Sequence, residues 1–346
     1  MPAESNDLFL EAVNNAVVIE EPADAANVLL QITTALFDVG NTDYANALLQ
    51  KTFRRIKELE DPKERAYLLR LFVTLLCRQG LIAAAAETLP LLDDPEQRDI
   101  ALKELAMAQA AAGRQNDALA TAEELEDLDD YEKVLAAIGK HQVPAESGKA
   151  VIPIETAREI DDLFHRGAAL RQVGISMYAS GKKTEARTVF KETLNTIQRI
   201  SNSYSRANAL TDFASGLVSI GFDDSAVKVF RLGASAALEI DDISFALSCF
   251  CKIVESQAEA RLFGEAFDTI KIIEELREEI PRKSPWGCSF DRDLAVVLGK
   301  LAAALADSPE EEKSAPLFQR ALDIARSIVD AQCRAVALMR LASCLR

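Results

Sequence analysis

One frame of four positions recurs along this chain: a basic residue, Leu four residues later, Gly fifteen later and Ala twenty later. Successive copies start 33 to 40 residues apart, which is the spacing of helix-turn-helix repeats. The complete copies are Arg65/Leu69/Gly80/Ala85, Arg98/Leu102/Gly113/Ala118, Arg166/Leu170/Gly181/Ala186 and Arg206/Leu210/Gly221/Ala226. Less regular copies start at Ala25, Lys133 and Ala246, one is recognised by its Ala315, and the last begins at Arg334.

Each position of the frame has a physical role in a helical hairpin. The Leu belongs to an apolar stripe at helical spacing, as in Leu69, Phe72 and Leu76. The Gly suits the left-handed residue that ends a helix, and the Ala lets the second helix approach the first closely. The frame therefore predicts a tight pair of helices in each copy.

An acidic or amide residue stands four positions before most frame starts. Such residues cap helix N-termini, and Pro62 and Pro95 occupy the next position, where a helix tolerates Pro. A row of metal ligands is not predicted, because equivalent positions of stacked repeats lie far apart along the stack. The predicted caps are Asp61, Asp94, Asp129, Asp162, Asn202, Asp242 and Asp330.

The segment from Gly181 to Leu194, with Ala186 and Phe190 four residues apart, resembles the tetratricopeptide repeat family, and Gly221 to Phe230 repeats it. The resemblance covers nearly the whole chain. It implies an all-α fold, a right-handed α-α superhelix of about eight hairpins with roughly 15–16 helices, in a single domain over residues 1–346. Pro144, Gly148 and Pro153 predict an irregular repeat at about 131–161.

Composition narrows the possible functions. The formal charge of -16 repels a phosphate backbone, so nucleic acid is not an expected partner. The six cysteines contain no CxxC pair, which fits a reducing compartment. The N-terminus has no basic leader segment, and the longest apolar runs are too short to span a membrane. These features predict a soluble, acidic, cytoplasmic protein without membrane contact.

No catalytic motif is present, and only two histidines occur, His141 and His165. We interpret both as polar surface or cap residues. Cys249 and Cys251 point to different faces of a helix, so a shared zinc is not expected. The sequence predicts neither an enzyme nor a cofactor or metal site.

The resemblance implies binding of an unidentified protein or peptide in the concave groove that the first helices line. An interaction scaffold is the favoured function, with a regulatory or substrate-recruiting subunit of an enzyme complex as the alternative; an RNA-binding repeat or an enzyme is less favoured. Arg70, Lys103 and Arg171 are candidates for holding a peptide carboxylate. The groove candidates are Asn27, Thr34, Tyr67, Arg70, Thr74, Lys103, Met107, Arg171, Tyr178, Asn208, Thr211, Ser215, Ser248 and Glu255.

Two further regions are candidates for contact with a partner. The predicted loop insertion at about 281–292 carries Trp286, the only Trp of the chain, which either recognises a partner or packs onto the seventh repeat. The frame also predicts that the array starts with a lone second helix and finishes with a lone first helix. The last helix is apolar nearly all round, so either self-association through it or simple capping is expected.

Overall fold

The computed structural model describes residues 3–125, 127–140, 153–280 and 285–345. These residues form eighteen α-helices and no strand, which confirms the all-α prediction. Seven hairpins account for fourteen of these helices, and the two helices of the irregular copy with one additional helix at each end bring the number to eighteen, where 15–16 were predicted.

Neighbouring helices pair in sequence order, and in every copy but the irregular one the first helix packs against the second helix that follows it. The first helices are α2 (Pro22–Asp38), α4 (Pro62–Arg78), α6 (Pro95–Ala111), α8 (Leu128–Lys140), α10 (Leu163–Ala179), α12 (Ser203–Val218), α14 (Ile243–Glu259) and α16 (Pro285–Ala306). The second helices are α3 (Thr42–Lys57), α5 (Ile82–Thr88), α7 (Gln115–Ala122), α9 (Ile154–Arg158), α11 (Lys183–Gln198), α13 (Asp223–Leu238), α15 (Phe263–Glu278) and α17 (Ser314–Ser327). The terminal helices are α1 (Ala3–Val17) and α18 (Ala331–Cys344).

The chain divides into two compact units. One unit comprises residues 1–148 together with 334–346, and the other comprises residues 149–333. The boundary falls inside the copy that the sequence predicts to be irregular, where the second helix α9 has only five residues. That both units belong to one solenoid domain stays a prediction.

The hairpin turns confirm the roles of Gly and Ala in the frame. Each of the five frame glycines outside the irregular copy has a left-handed φ between 70° and 86°. The following residue then bonds back five positions, as Asn41 N–H does to the carbonyl of Leu36 at 2.9 Å. The frame alanines are completely buried against the first helix: Ala45, Ala85, Ala118, Ala186, Ala226 and Ala266.

The basic residue of the frame links one hairpin to the previous one. Arg65, Arg166 and Arg206 each donate to a backbone carbonyl six positions earlier, at 2.6–2.7 Å. Those carbonyls belong to the linker after a second helix, where helical partners are missing. The guanidinium therefore fixes the direction in which the next hairpin starts.

The cap predictions are confirmed except for Asp129. The side chains of Asp61, Asp94, Asp162, Asn202, Asp242 and Asp330 each accept a backbone N–H of their own first turn. Helix α8 begins at Leu128, so Asp129 lies within its first turn and Asp127 accepts the Asp130 N–H at 2.9 Å instead. In this irregular copy, α8 therefore begins earlier than the frame predicts.

The two terminal helices, each predicted to be alone, are paired within the first unit. Ser5 Oγ in α1 donates to the carbonyl of Ala342 in α18 at 2.9 Å, and Arg334 Nε donates to Asn15 Oδ1 at 2.5 Å. Phe9, four residues after Ser5, is completely buried. Helices α18 and α1 thus contact each other through side-chain hydrogen bonds.

The α16–α17 hairpin uses the same contact, since Ser314 Oγ donates to the carbonyl of Ala302 at 2.8 Å. Ser314 is therefore the small frame residue of the eighth copy, and the assignment of Ala315, which is exposed, was wrong by one position. The apolar side chains of α18 on which self-association was predicted are buried within the chain: Val336, Leu338, Met339 and Leu341.

Arg261 replaces the frame glycine between α14 and α15 and adopts the same left-handed conformation, with φ of 59°. A side chain costs about 1 kcal/mol or more in this conformation, partly offset by the greater unfolded-state entropy of glycine. We expect Arg261→Gly to raise the free energy of unfolding by up to about 1 kcal/mol, measured by urea denaturation.

Gly221→Ala is the matched control, and it should lower the free energy of unfolding by about 1 kcal/mol or more because it places a Cβ at φ of 77°. If Arg261→Gly is destabilising, left-handed strain does not govern this turn.

The carboxylates that cap the helices make the stability of the fold depend on pH. Backbone N–H groups of Glu64 and Lys63 lower the pKa of Asp61, and the backbone N–H of His165 lowers the pKa of Asp162. A carboxyl whose pKa is lower in the folded state contributes stability above its unfolded pKa of about 3.9 and loses it as the pH falls through the folded value. We expect Asp61→Asn/Asp162→Asn to unfold with a shallower pH dependence below about pH 4, measured as the thermal midpoint against pH.

Asn202 already caps a helix with an amide side chain, so the double variant should have a thermal midpoint close to that of the wild type at neutral pH. Superimposable acid profiles of the two proteins would contradict the role of the cap carboxylates.

Candidate functional site

The predicted groove residues lie on the first helices, but most of them are engaged inside the protein. Tyr67, Met107 and Ser248 are exposed. Thr211 is buried, and its hydroxyl donates to the carbonyl of Ala207 at 2.8 Å, so it faces no partner. The partly buried candidates are Asn27, Thr34, Arg70, Thr74, Lys103, Arg171, Tyr178, Asn208, Ser215 and Glu255.

Two of the basic groove candidates tie one first helix to the next. Arg70 Nε donates to Gln97 Oε1 at 2.7 Å, and Lys103 Nζ contacts Asp130 at 2.9 Å. Both links join residues 27 positions apart, at equivalent places in successive repeats. These side chains already have acceptors, so binding a peptide carboxylate would require them to break contacts that hold the stack together.

The same face carries further links in the second unit. Lys252 pairs with Asp212 at 2.7 Å, and Lys300 pairs with the groove candidate Glu255 at 2.8 Å. Tyr178 packs edge-on against Phe222 of the hairpin turn, with ring centroids 5.1 Å apart. Much of the first-helix face therefore serves the packing of the repeats.

Trp286 lies on a helix and not in a loop. Helix α16 begins at Pro285, about two turns before the place where the frame would start it, and residues 281–284 lie outside the described part of the chain. The Trp286 side chain is 65% exposed, so the interpretation that it packs onto the seventh repeat is wrong. The additional turns of α16 carry the indole beyond the other first helices.

A cavity of about 670 Å³ opens beside Trp286, between the first turns of α14 and α16 and the end of α15. Buried apolar side chains of Leu247, Ile280 and Phe290 lie on its wall. Polar groups of Ser244 and Ser289 line it as well. Its volume falls in the range of ordinary ligand pockets, and it combines an apolar wall with a few polar groups.

A second cavity of about 420 Å³ lies at the start of the neighbouring repeat, beside Tyr204 and Phe245. The two rings contact each other edge-on with centroids 5.3 Å apart, yet they remain 38% and 55% exposed. Asp241 lines both cavities, which makes them one continuous surface. We call this surface, with Tyr204, Phe245 and Trp286, the aromatic edge.

Acidic groups dominate the aromatic edge. Asp241, Asp242, Glu279 and Asp293 line the larger cavity, and Arg292 is its only basic residue among the described residues. Arg292 donates two hydrogen bonds to Asp293, at 2.8 and 3.1 Å, so its charge is compensated. The carboxylate of Asp242 is partly committed to capping α14, through the N–H groups of Ser244 and Phe245.

Tyr204 and Phe245 were missed by the sequence analysis. Each stands two or three positions after a helix cap, Asn202 or Asp242, where an outward-facing first-turn residue is normally polar. Together with Trp286 they recur at intervals of 41 residues. An aromatic at this repeated, outward-facing position was the available signal.

Catalytic chemistry has little support among the described residues. Burial raises the pKa of Cys77 to about 12 and that of Cys249 to about 11, the reverse of what a thiolate nucleophile needs. No group of three or more possible metal ligands occurs in the described part of the chain. His165 lies 2.7 Å from the cap carboxylate of Asp162 on the exposed surface, and His141 lies outside the described residues. No described helix is both long and apolar enough to cross a membrane.

Comparison with known proteins finds weak similarity to solved structures and no match in sequence. Neither a family model nor a curated protein matches the sequence. A solved structure titled "Circular tandem repeat protein with novel repeat topology and enhanced subunit contact surfaces" is 16% identical, with 94% of this chain and 85% of that chain covered and a TM-score of 0.35. Ton1535 from Thermococcus onnurineus NA1 is 15% identical, with 96% and 94% covered and a TM-score of 0.27.

The exposure of Trp286 can be tested directly because the chain contains one Trp. We expect the native protein to emit at the long wavelength of a solvated indole and to be quenched by acrylamide nearly as readily as N-acetyltryptophanamide. Trp286→Phe should abolish the signal. An emission maximum at short wavelength that moves on unfolding would contradict the exposed position.

Proposed function

We propose that this protein is a helical repeat scaffold of the tetratricopeptide type that binds a protein or peptide partner. The observation that carries the proposal is the row of exposed aromatic side chains at the aromatic edge, beside two open cavities. Large aromatics are enriched where proteins contact partners, and open apolar surface in a well-packed protein marks such contacts.

The aromatic edge is better suited to this role than the first-helix face, where the sequence placed the site. Arg70 and Lys103 on that face are held by Gln97 and Asp130, and Tyr67 already stacks with Arg70 at 5.2 Å. By contrast, the indole of Trp286 and the ring of Phe245 are more than half exposed. Recognition by these side chains needs no break in the contacts between repeats.

Binding without catalysis agrees with the raised thiol pKa values and with the capping role of the His165–Asp162 pair. A regulatory or substrate-recruiting subunit of an enzyme complex is the same kind of scaffold with an enzyme as its partner. It would use the same surface, so the experiment below applies to both.

A displayed library of random peptides tests the proposal. Peptides are selected on the wild-type protein, and their affinities are compared for Tyr204→Ser/Phe245→Ser/Trp286→Ser and for a control, Tyr67→Ser/Met107→Ser, which removes exposed apolar side chains from the first-helix face. We expect the first variant to lose about tenfold or more in affinity, since interface aromatics dominate binding, and the control to bind like wild type.

All five positions are exposed, so both variants should keep the wild-type circular dichroism and unfolding midpoint. Loss of affinity in the control variant alone would move the site to the first-helix face. A library that yields no specific peptide would contradict the scaffold function itself.

A further inference from the structure

The larger cavity of the aromatic edge has a composition that selects one chemical class of partner. Its wall offers apolar contact through Leu247, Ile280 and Phe290, and its rim carries the exposed indole of Trp286. Asp241 and Glu279 also line the cavity, and both are exposed, as the indole is. An aliphatic stem that ends in a positive charge can contact the apolar wall, the aromatic ring and these carboxylates together.

The acidic groups stand on two sides of the cavity. Asp241 precedes α14, and Glu279 follows α15; both are exposed and neither forms an ion pair in the described part of the chain. The nearby Arg277 does not compensate them, because it donates to the carboxylate of Asp291 and to the carbonyl of Ile280. Arg282 and Lys283 lie outside the described residues.

We propose that this cavity binds an arginine or lysine side chain of a basic partner segment, with Trp286 stacked on the cation and Asp241 and Glu279 as its acceptors. The inference rests on the proposed scaffold function and adds the chemistry of the partner. A guanidinium stacks well on an indole, and its hydrogen bonds to carboxylates are stronger than those between neutral groups. The formal charge of -16 attracts a basic segment over a longer range.

The same charges argue against other partners at this cavity. An acidic or phosphorylated segment would meet the carboxylates of Asp241, Glu279 and Asp242 without a free basic residue among the described residues to compensate. An anionic membrane surface or a nucleic acid would be repelled for the same reason. A purely apolar segment would leave the acidic rim without partners.

Trp286 emission provides the measurement. The probe is the blocked peptide Ac-Ala-Arg-Leu-Arg-Ala-amide, compared with the same peptide carrying citrulline in place of arginine, which keeps the shape and removes the charge. We expect the arginine peptide to shift Trp286 emission to shorter wavelength and to bind about tenfold more tightly than the citrulline peptide. High salt should weaken only the arginine peptide.

Matched variants locate the charge effect. Asp241→Asn and Glu279→Gln should each weaken the arginine peptide several-fold and leave the citrulline peptide unchanged. Asp224→Asn at the start of α13 and Glu185→Gln in α11 make the same charge changes at exposed positions away from the cavity, and they should have no effect. Equal losses in both sets would overturn the assignment to this cavity.

The outcomes separate this inference from the scaffold function. Equal binding of the arginine and citrulline peptides would refute cation recognition and leave peptide binding at the aromatic edge intact. If library-selected peptides also leave Trp286 emission unchanged, the aromatic edge is not the binding surface, and both proposals fail.

Discussion

The close approach of two helices at a buried small residue is the contact on which this structure depends. Frame alanines fill that position in six hairpins with no exposed surface, and Ser5 and Ser314 fill it where a hydroxyl also bonds to the facing helix. Gly174 is a further position at a helix contact that needs a small residue, because a Cβ there would lie 2.5 Å from the ring of Phe190. Packing at this distance has no room for a larger residue, so each hairpin has one well-defined geometry.

Because each hairpin has one geometry, the linkers between hairpins also adopt defined conformations. Arginines at the frame start hold the linker carbonyls, and polar links such as Arg70 to Gln97 join successive first helices. Arg70 and Lys103 were candidates for binding a peptide carboxylate because an internal acceptor and a carboxylate require the same kind of donor. Their commitment to the stack leaves recognition to side chains that extend past it.

The aromatic edge consists of such side chains. Tyr204 and Phe245 stand on the first turns of ordinary first helices, whereas Trp286 reaches the edge because α16 starts about two turns early. Rigid hairpins carry all three, so little conformational entropy should be lost when a partner segment binds. The acidic residues at the same edge add selectivity for positive charge, which apolar contact by itself does not provide.

The sequence by itself determined the hairpins, because glycine at a left-handed turn, alanine at a close helix contact and aspartate at a helix start are local requirements that few other residues meet. The tertiary structure decided what depends on distant residues: that α18 pairs with α1, that Lys103 is held by Asp130, and that Trp286 stands open beside a cavity. No local pattern contains these facts, since each arises from surfaces that meet only when the repeats stack.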